Sequence, residues 1–341
     1  MMDGNASYRH GNTAVLSVTA VEAPRVVTSA SFDELLEPTF RRLGLRPGLL
    51  EGLAGIYERR WWLDGYHFTD AAAAAGESAI EAAGIDRDRI GLMINSSISR
   101  EYLEPSSAVK IHHDLRLPSS ATNFDLANAC LGFVNGMHLA ASMIDAGHID
   151  YALVVDGEDA RAVQEATLTR LARDTVTTED VFNEFACLTL GSGAAAMVLG
   201  RADRHPEGHR LIGGISRAAT EHHMLCIGDN EHMTTDTKGL LDAGLELAES
   251  AWKEALVDFD WQDMDCYVLH QVSSVHTESL CARLGIDPDR APLTYPMYGN
   301  IASAALPFTL ALQTGTLQVG DRVLCMGIGS GLNVAFCEIT W

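Results

Sequence analysis

The segment IGLMIN at 90–95 has a counterpart in DCYVLH at 265–270, and DYALVV at 150–155 has one in DRVLCM at 321–326. The helical patterns that lead into the two members of the second pair open at Cys130 and at Asn300. Cys130 to Asp150 spans 20 positions and Asn300 to Asp321 spans 21. A repeat of this kind constrains the fold, because each copy of a strand–helix–strand unit must bury the same apolar faces. At 341 residues the chain also exceeds what one hydrophobic core usually serves. We therefore read two halves, 1–205 and 206–341, related by a pseudo-twofold axis.

Between the repeated segments, short β-branched and apolar runs alternate with longer alanine-rich stretches of helical period, the pattern of an α/β layered fold. The expected strands are Ala14 to Val18, Ile90 to Asn95, Tyr151 to Val155, Ala194 to Leu199, Cys266 to His270 and Val323 to Gly327. No apolar run approaches the length that spans a bilayer. The start, MMDGNASYRHGNTAVLSV, lacks the succession of a signal peptide, so a cytoplasmic location is expected. A formal charge of −22 argues against a nucleic-acid partner, whose affinity comes from neutralised phosphates. A small anionic substrate would need a local basic mouth. The seven cysteines are odd in number and scattered, with neither CxxC nor zinc spacing, so no disulfide framework or metal is expected. His112–His113 and His222–His223 read as surface or turn histidines.

The duplication turns three distant residues into one group. Cys130 and Asn300 hold equivalent strand-to-helix positions, and His270 ends a strand of the second copy at the same edge. A thiol at a helix N-terminus meets unpaired N–H groups and the positive end of the helix dipole, which favours the thiolate. Taken singly, Cys130 reads equally well as a small buried hydrophobe, His270 as a capped strand end and Asn300 as a turn former. The ordered set, with GIGSG at 327–331 following, moves the reading to a nucleophile and its donors.

On these motifs, and on GIYERR at 55–60 and LGSGAAA at 190–196, the chain resembles the thiolase superfamily in its ketoacyl synthase III branch, over essentially its whole length. The resemblance implies a thiolase-like fold, a duplicated α/β/α/β/α arrangement of five layers. It implies that Cys130 attacks an acyl thioester, with an oxyanion hole made of the backbone N–H groups of Cys130 and Ser330. It further implies that His270 and Asn300 hold the enolate oxygen of a second acyl group.

The LEPS segment at 103–106, with NSSISR before it and VVDGE at 154–158, is similar to the family that joins two fatty acyl-CoA molecules head to head in bacterial long-chain olefin synthesis. That similarity implies a homodimer in which Glu104 removes an α-proton across the subunit interface. It also implies acyl-CoA substrates with no other cofactor, and other enzymes of the olefin pathway as partners. The alternatives are a ketoacyl synthase III that decarboxylates a malonyl thioester, and a silent subunit of a heteromer. Two features bear on the choice. The tryptophan and arginine that hold CoA in chain-initiating synthases would align with Leu49 and Leu53, so that clamp is missing. CMGIGSG at 325–331 matches the second-cysteine motif of degradative thiolases, yet histidine and asparagine replace their other residues, so Cys325 reads as core. Arg59, Arg60, Trp61 and Trp62 are expected to pack rather than to bind CoA.

Overall fold

A computed structural model describes residues 6–341; the first five residues of the opening segment quoted above lie outside it. Nine strands carry the architecture. They are β1 (Thr13–Glu22), β2 (Ile90–Asn95), β3 (Thr122–Asp125), β4 (Tyr151–Glu158), β5 (Gly193–Arg201), β6 (His209–Ala218), β7 (Cys266–Leu269), β8 (Arg322–Gly329) and β9 (Asn333–Thr340). In the first half the order is β3-β2-β4-β5-β1, and in the second it is β7-β8-β9-β6. The two sets share one plan. Strands β2 and β4 pair in parallel, then β4 with β5 and β5 with β1 antiparallel; β7, β8, β9 and β6 repeat those directions in turn. Only β3 has no counterpart. A short antiparallel pairing, Ala14 with Arg210 and Val15 with His209, joins the halves into one continuous sheet.

Alternation along the strands explains the layers. In β2, Leu92 and Ile94 face a central cluster while Met93 faces an outer one; in β8, Cys325 faces inward while Leu324 and Met326 face outward. The central cluster is filled by α3 (Gly132–Asp145) and α6 (Ala305–Gln313), through Phe133, Met137 and Ile144 from one and Leu306 and Leu310 from the other. Outside the first sheet pack α1 (Phe68–Ala83) and α2 (Ser107–Asp114). Outside the second pack α4 (Thr237–Ala255) and α5 (Ser274–Leu284). The result is helix, sheet, helix, sheet, helix, the five layers implied by the resemblance.

Local composition makes the close layers possible. The alanine stripe of α1, Ala71, Ala72, Ala75 and Ala79, is completely buried, and a Cβ at Gly157 in β4 would lie 2.2 Å from the Phe68 carbonyl oxygen. On the inner side, a Cβ at Gly136 of α3 would meet Val154 of β4 at 3.1 Å. Large side chains in the middle layer would push the sheets apart.

All six expected strands form, some longer than expected, as β4 continues to Glu158 and β8 to Gly329. The six expected strands leave out β3, which is only four residues long, and also β6 and β9. The latter two follow turns within the second half and carry glycine, serine or asparagine among their apolar residues, which weakens their pattern. Among the described residues no helix is long and apolar enough to cross a membrane. The seven cysteines are free, and Cys325 is 3 % exposed opposite Cys337 on the neighbouring strand, with burial pushing its thiol up to about 12.

Phe308 on α6 is wholly buried against Ala195, Ile301 and Tyr298. Its truncation, Phe308→Ala, is expected to cost about 3–5 kcal/mol of stability, as large-to-small changes in a packed core do, and to appear as a lower denaturation midpoint in urea.

Candidate active site

The parallel strands of both halves end at the same edge, and the residues that follow them build the site. After β3 the chain turns through Leu126 to Leu131 before α3 begins at Gly132, so Cys130 lies two residues ahead of the helix. Ala129, just before it, has φ of 45°, a left-handed conformation that a residue with a Cβ adopts only when its surroundings hold it there. Ala302, two residues after Asn300, repeats the feature with φ of 46°. Each of these left-handed residues stands three positions before the start of its inner helix, Ala129 before Gly132 and Ala302 before Ala305.

The turns interlock. Ser303 Oγ accepts the Phe133 N–H at 3.1 Å, tying the segment after Asn300 to the first turn of α3. A Cβ at Gly132 would stand 2.6 Å from the Ser96 carbonyl oxygen and 3.1 Å from Ser303 Oγ, so only glycine lets the two turns approach this closely. From the other side comes the end of β8. A Cβ built on Gly329 would lie 3.3 Å from the Cys130 nitrogen, which places the backbone that leads into Ser330 beside the Cys130 amide.

His270 follows β7, and its backbone N–H donates to the Met326 carbonyl of β8 at 2.9 Å, three residues before Gly329. Its side chain is 2 % exposed, and Nδ1 finds no partner among the described residues. Burial, then the neighbouring His276, lowers its pKa to about 3, so the imidazole is neutral and can donate from one nitrogen only. Asn300 is held at both backbone groups. Its N–H donates to the Thr189 carbonyl and its carbonyl accepts the Gly191 N–H, both at 2.9 Å. Its Oδ1 accepts the Ala302 N–H at 2.9 Å, which leaves Nδ2 as the donor without a described partner. A Cβ on Gly191 would stand 1.9 Å from the Tyr298 carbonyl oxygen, so a glycine at 191 is what lets this strap close.

One expectation needs correction. The helix N-terminus does not by itself make Cys130 a resting thiolate. Burial raises its pKa well above the ordinary thiol value, nearby Glu158, Cys226 and Asp156 add to the rise, and its own backbone N–H opposes them. The helix start therefore competes with burial and two acids of a different strand, which sequence position alone does not reveal.

Those acids, Asp156 and Glu158 at the end of β4, enter the sequence reading only as part of the VVDGE motif. They are 0 % and 4 % exposed. The available signal is a pair of carboxyls closing a strand whose preceding five residues, YALVV, are all apolar. Glu104 lies elsewhere, in the exposed loop between β2 and α2, where Tyr102 and Leu103 are also exposed, Leu103 completely. Glu104 is thus exposed, whereas His270 is buried.

The tryptophan–arginine run packs. Arg59 is fully buried, donating to Ser29 Oγ and to the Leu188 carbonyl, both at 3.1 Å, and lying over Phe32. Trp61 Nε1 donates to Gln164, Trp62 Nε1 to the Glu158 carbonyl, and Arg60 pairs with Glu58. At the positions of the absent CoA clamp, Leu53 presents a half-exposed apolar surface.

Comparison with known proteins agrees with this geometry. The 3-oxoacyl-[acyl-carrier-protein] synthase III model matches residues 124–214, and the model of that family's C-terminal part matches residues 256–341. An acyl-CoA:acyl-CoA alkyltransferase of Xanthomonas campestris is 43 % identical over 97 % of this chain and 99 % of its own. One of Shewanella oneidensis is 34 % identical over 94 % of this chain and 96 % of its own. The crystal structure of Xanthomonas campestris OleA with lauric acid and lauroyl-CoA superposes with a TM-score of 0.95 at 42 % identity, over 97 % of this chain and all of that one. Solved forms of the same OleA carry replacements of a cysteine, a histidine and a glutamate. In that protein the glutamate and cysteine are separated by the same interval as Glu104 and Cys130, and the histidine follows the cysteine at a spacing within two positions of that between Cys130 and His270. The chain belongs to the 3-oxoacyl-[acyl-carrier-protein] synthase III family, and within it to the acyl-CoA:acyl-CoA alkyltransferases.

Proposed function

We infer that this enzyme condenses two fatty acyl-CoA molecules head to head without decarboxylation, giving a β-keto acid, the first step of long-chain olefin synthesis. The observation that carries the reading is the meeting of the Cys130 turn, the Asn300 turn and the end of β8 at one edge of the duplicated sheet. Nucleophile, enolate donors and oxyanion donors then face one crevice. In this division the half 1–205 supplies the thiol, and the half 206–341 supplies His270, Asn300 and Ser330.

In the first step Cys130 sulfur attacks the carbonyl of one acyl-CoA. The thiol proton ends on the departing CoA sulfur, so a resting thiolate is not required. Negative charge on the tetrahedral oxygen is met by the N–H groups of Cys130 and Ser330, fixed in place before the charge develops. In the second step Glu104 removes an α-proton from the other acyl-CoA. The resulting enolate oxygen accepts hydrogen bonds from neutral His270 and from Asn300 Nδ2. Its α-carbon attacks the acyl-Cys130 carbonyl, and Cys130 sulfur leaves. Hydrolysis of the remaining CoA thioester releases the β-keto acid and the second CoA.

By the family resemblance Glu104 serves the site of a neighbouring chain, and we read the working enzyme as a homodimer. Its loop supports this, since fully exposed Leu103, with Tyr102 and Ile98 beside it, forms an apolar tip of the kind a second copy covers. The chemistry is nucleophilic and acid–base throughout, so acyl-CoA is the only organic molecule it calls for. A cytoplasmic location and hand-over to later enzymes of the olefin pathway complete the reading. A silent subunit is disfavoured, because the residues such a subunit would lose are all in place.

Four outcomes follow. Cys130→Ala abolishes both acyl transfer to the protein, read by intact mass, and product formation. Glu104→Gln retains the acyl adduct but lowers condensation by about 10²–10⁴-fold, the usual weight of a positioned base; full condensation by this variant would return the assignment to a malonyl-dependent synthase. Because His270 is neutral above about pH 4, no imidazole titration appears in the rate profile between pH 5 and 7. His270→Asn, which keeps a neutral donor, is expected to retain about 10-fold more condensation than His270→Ala, as a preorganised donor warrants.

A further inference from the structure

Asp156 and Glu158 are two buried carboxyls that none of the steps above uses. They lie two residues apart on β4 and project to the same side of the sheet. Each is attached to a different part of the site. Glu158 Oε1 accepts the Ile98 N–H at 2.7 Å, and Oε2 accepts the Ser99 N–H at 3.0 Å and the Ser99 hydroxyl at 2.6 Å. It thereby fixes the start of the loop that carries Glu104. Asp125 holds the far end of that loop, accepting the N–H groups of Ser107 and Ala108. Asp156 Oδ2 accepts the Ser96 hydroxyl at 2.6 Å, and Ser303, whose Oγ receives the Phe133 N–H, stands beside it.

Asp156 Oδ1 is buried with no hydrogen-bond partner among the described residues, and desolvation together with neighbouring Glu158 pushes the Asp156 carboxyl well up. Glu158 accepts three hydrogen bonds and suits the anion, so Asp156 is the member of the pair that carries the proton. Asp156 holds the Ser96 hydroxyl, and the Ser96 carbonyl oxygen stands where a Cβ at Gly132 would strike it, so Asp156 braces the nucleophile turn while Glu158 braces the loop of Glu104.

We propose that Asp156 and Glu158 are positioning residues for the condensation step, Glu158 by fixing the loop that presents Glu104 and Asp156 by bracing Ser96 against the nucleophile turn. The proposal rests on the reading of Glu104 as the base. A neutral Asp156 also avoids a second full negative charge below Cys130, which would resist the transient charge on its sulfur.

The test separates the two half-reactions in the purified full-length enzyme, with acylation read as the burst of CoA from one saturated acyl-CoA and condensation read as β-keto product. Glu158→Gln replaces one acceptor oxygen by a donor facing other donors. It is expected to change the burst by less than about 2-fold while lowering condensation about 10-fold or more, about 1.4 kcal/mol per decade. Asp156→Asn mimics the protonated acid and should restore most of the condensation lost in Asp156→Ala. In a Glu104→Gln background, Glu158→Gln should add little further loss, as expected of residues acting through one another. Equal loss of burst and condensation in Glu158→Gln, or Asn and Ala at 156 being equally impaired, would overturn the proposal. Glu104→Gln alone measures the base assignment, so its failure is read separately.

Discussion

The Ser303 hydroxyl accepting the Phe133 amide proton joins the two halves where their inner helices begin. Both α3 and α6 lie in the middle layer, each packed between sheets, and their starts carry the residues that matter. Without a contact fixing one helix start against the other, the thiol of one half and the donors of the other would share a layer but not a crevice. Small residues make the contact possible. Glycine at 132 keeps the nucleophile turn within reach of Ser96 and Ser303, and glycine at 191 lets the Asn300 strap close over Tyr298.

Burial in this crevice has opposite consequences for its members. It raises the thiol of Cys130 and the carboxyls of Asp156 and Glu158, and it lowers the imidazole of His270. Cys130, Asp156 and His270 are thereby held neutral, and Glu158 keeps its charge only because three donors of Ile98 and Ser99 hold it. That suits a reaction in which charge appears only transiently, on a tetrahedral oxygen and then on an enolate, because preorganised neutral donors respond without first losing a competing counter-charge. Acyl chains also enter such a site more readily than one lined with permanent ions.

The repeat was legible in the sequence because strands buried on both faces read as continuous apolar runs, and IGLMIN, DYALVV and DRVLCM are of that kind. The pairing of β2 with β7 and of β4 with β8 as equivalent strands follows directly. Less visible were β6 and β9, whose polar interruptions blur the period. Among site residues, Cys130, His270 and Asn300 stand out through their places in the repeat. Asp156 and Glu158 do not, since their importance depends on which loops pack over the end of β4. For the same reason the surroundings of Cys130 are only half legible: the helix dipole is a property of local sequence, whereas desolvation and neighbouring acids are properties of the fold.

The account's central claim is a carbon–carbon bond formed between two acyl-CoA molecules with no carbon dioxide lost. The direct measurement is to supply the enzyme with one saturated acyl-CoA labelled with carbon-13 at its carbonyl, without any malonyl thioester, and to weigh the product. The account predicts a β-keto acid that retains both labelled carbons. A product that forms only after a malonyl thioester is added, and that carries one label, would contradict it.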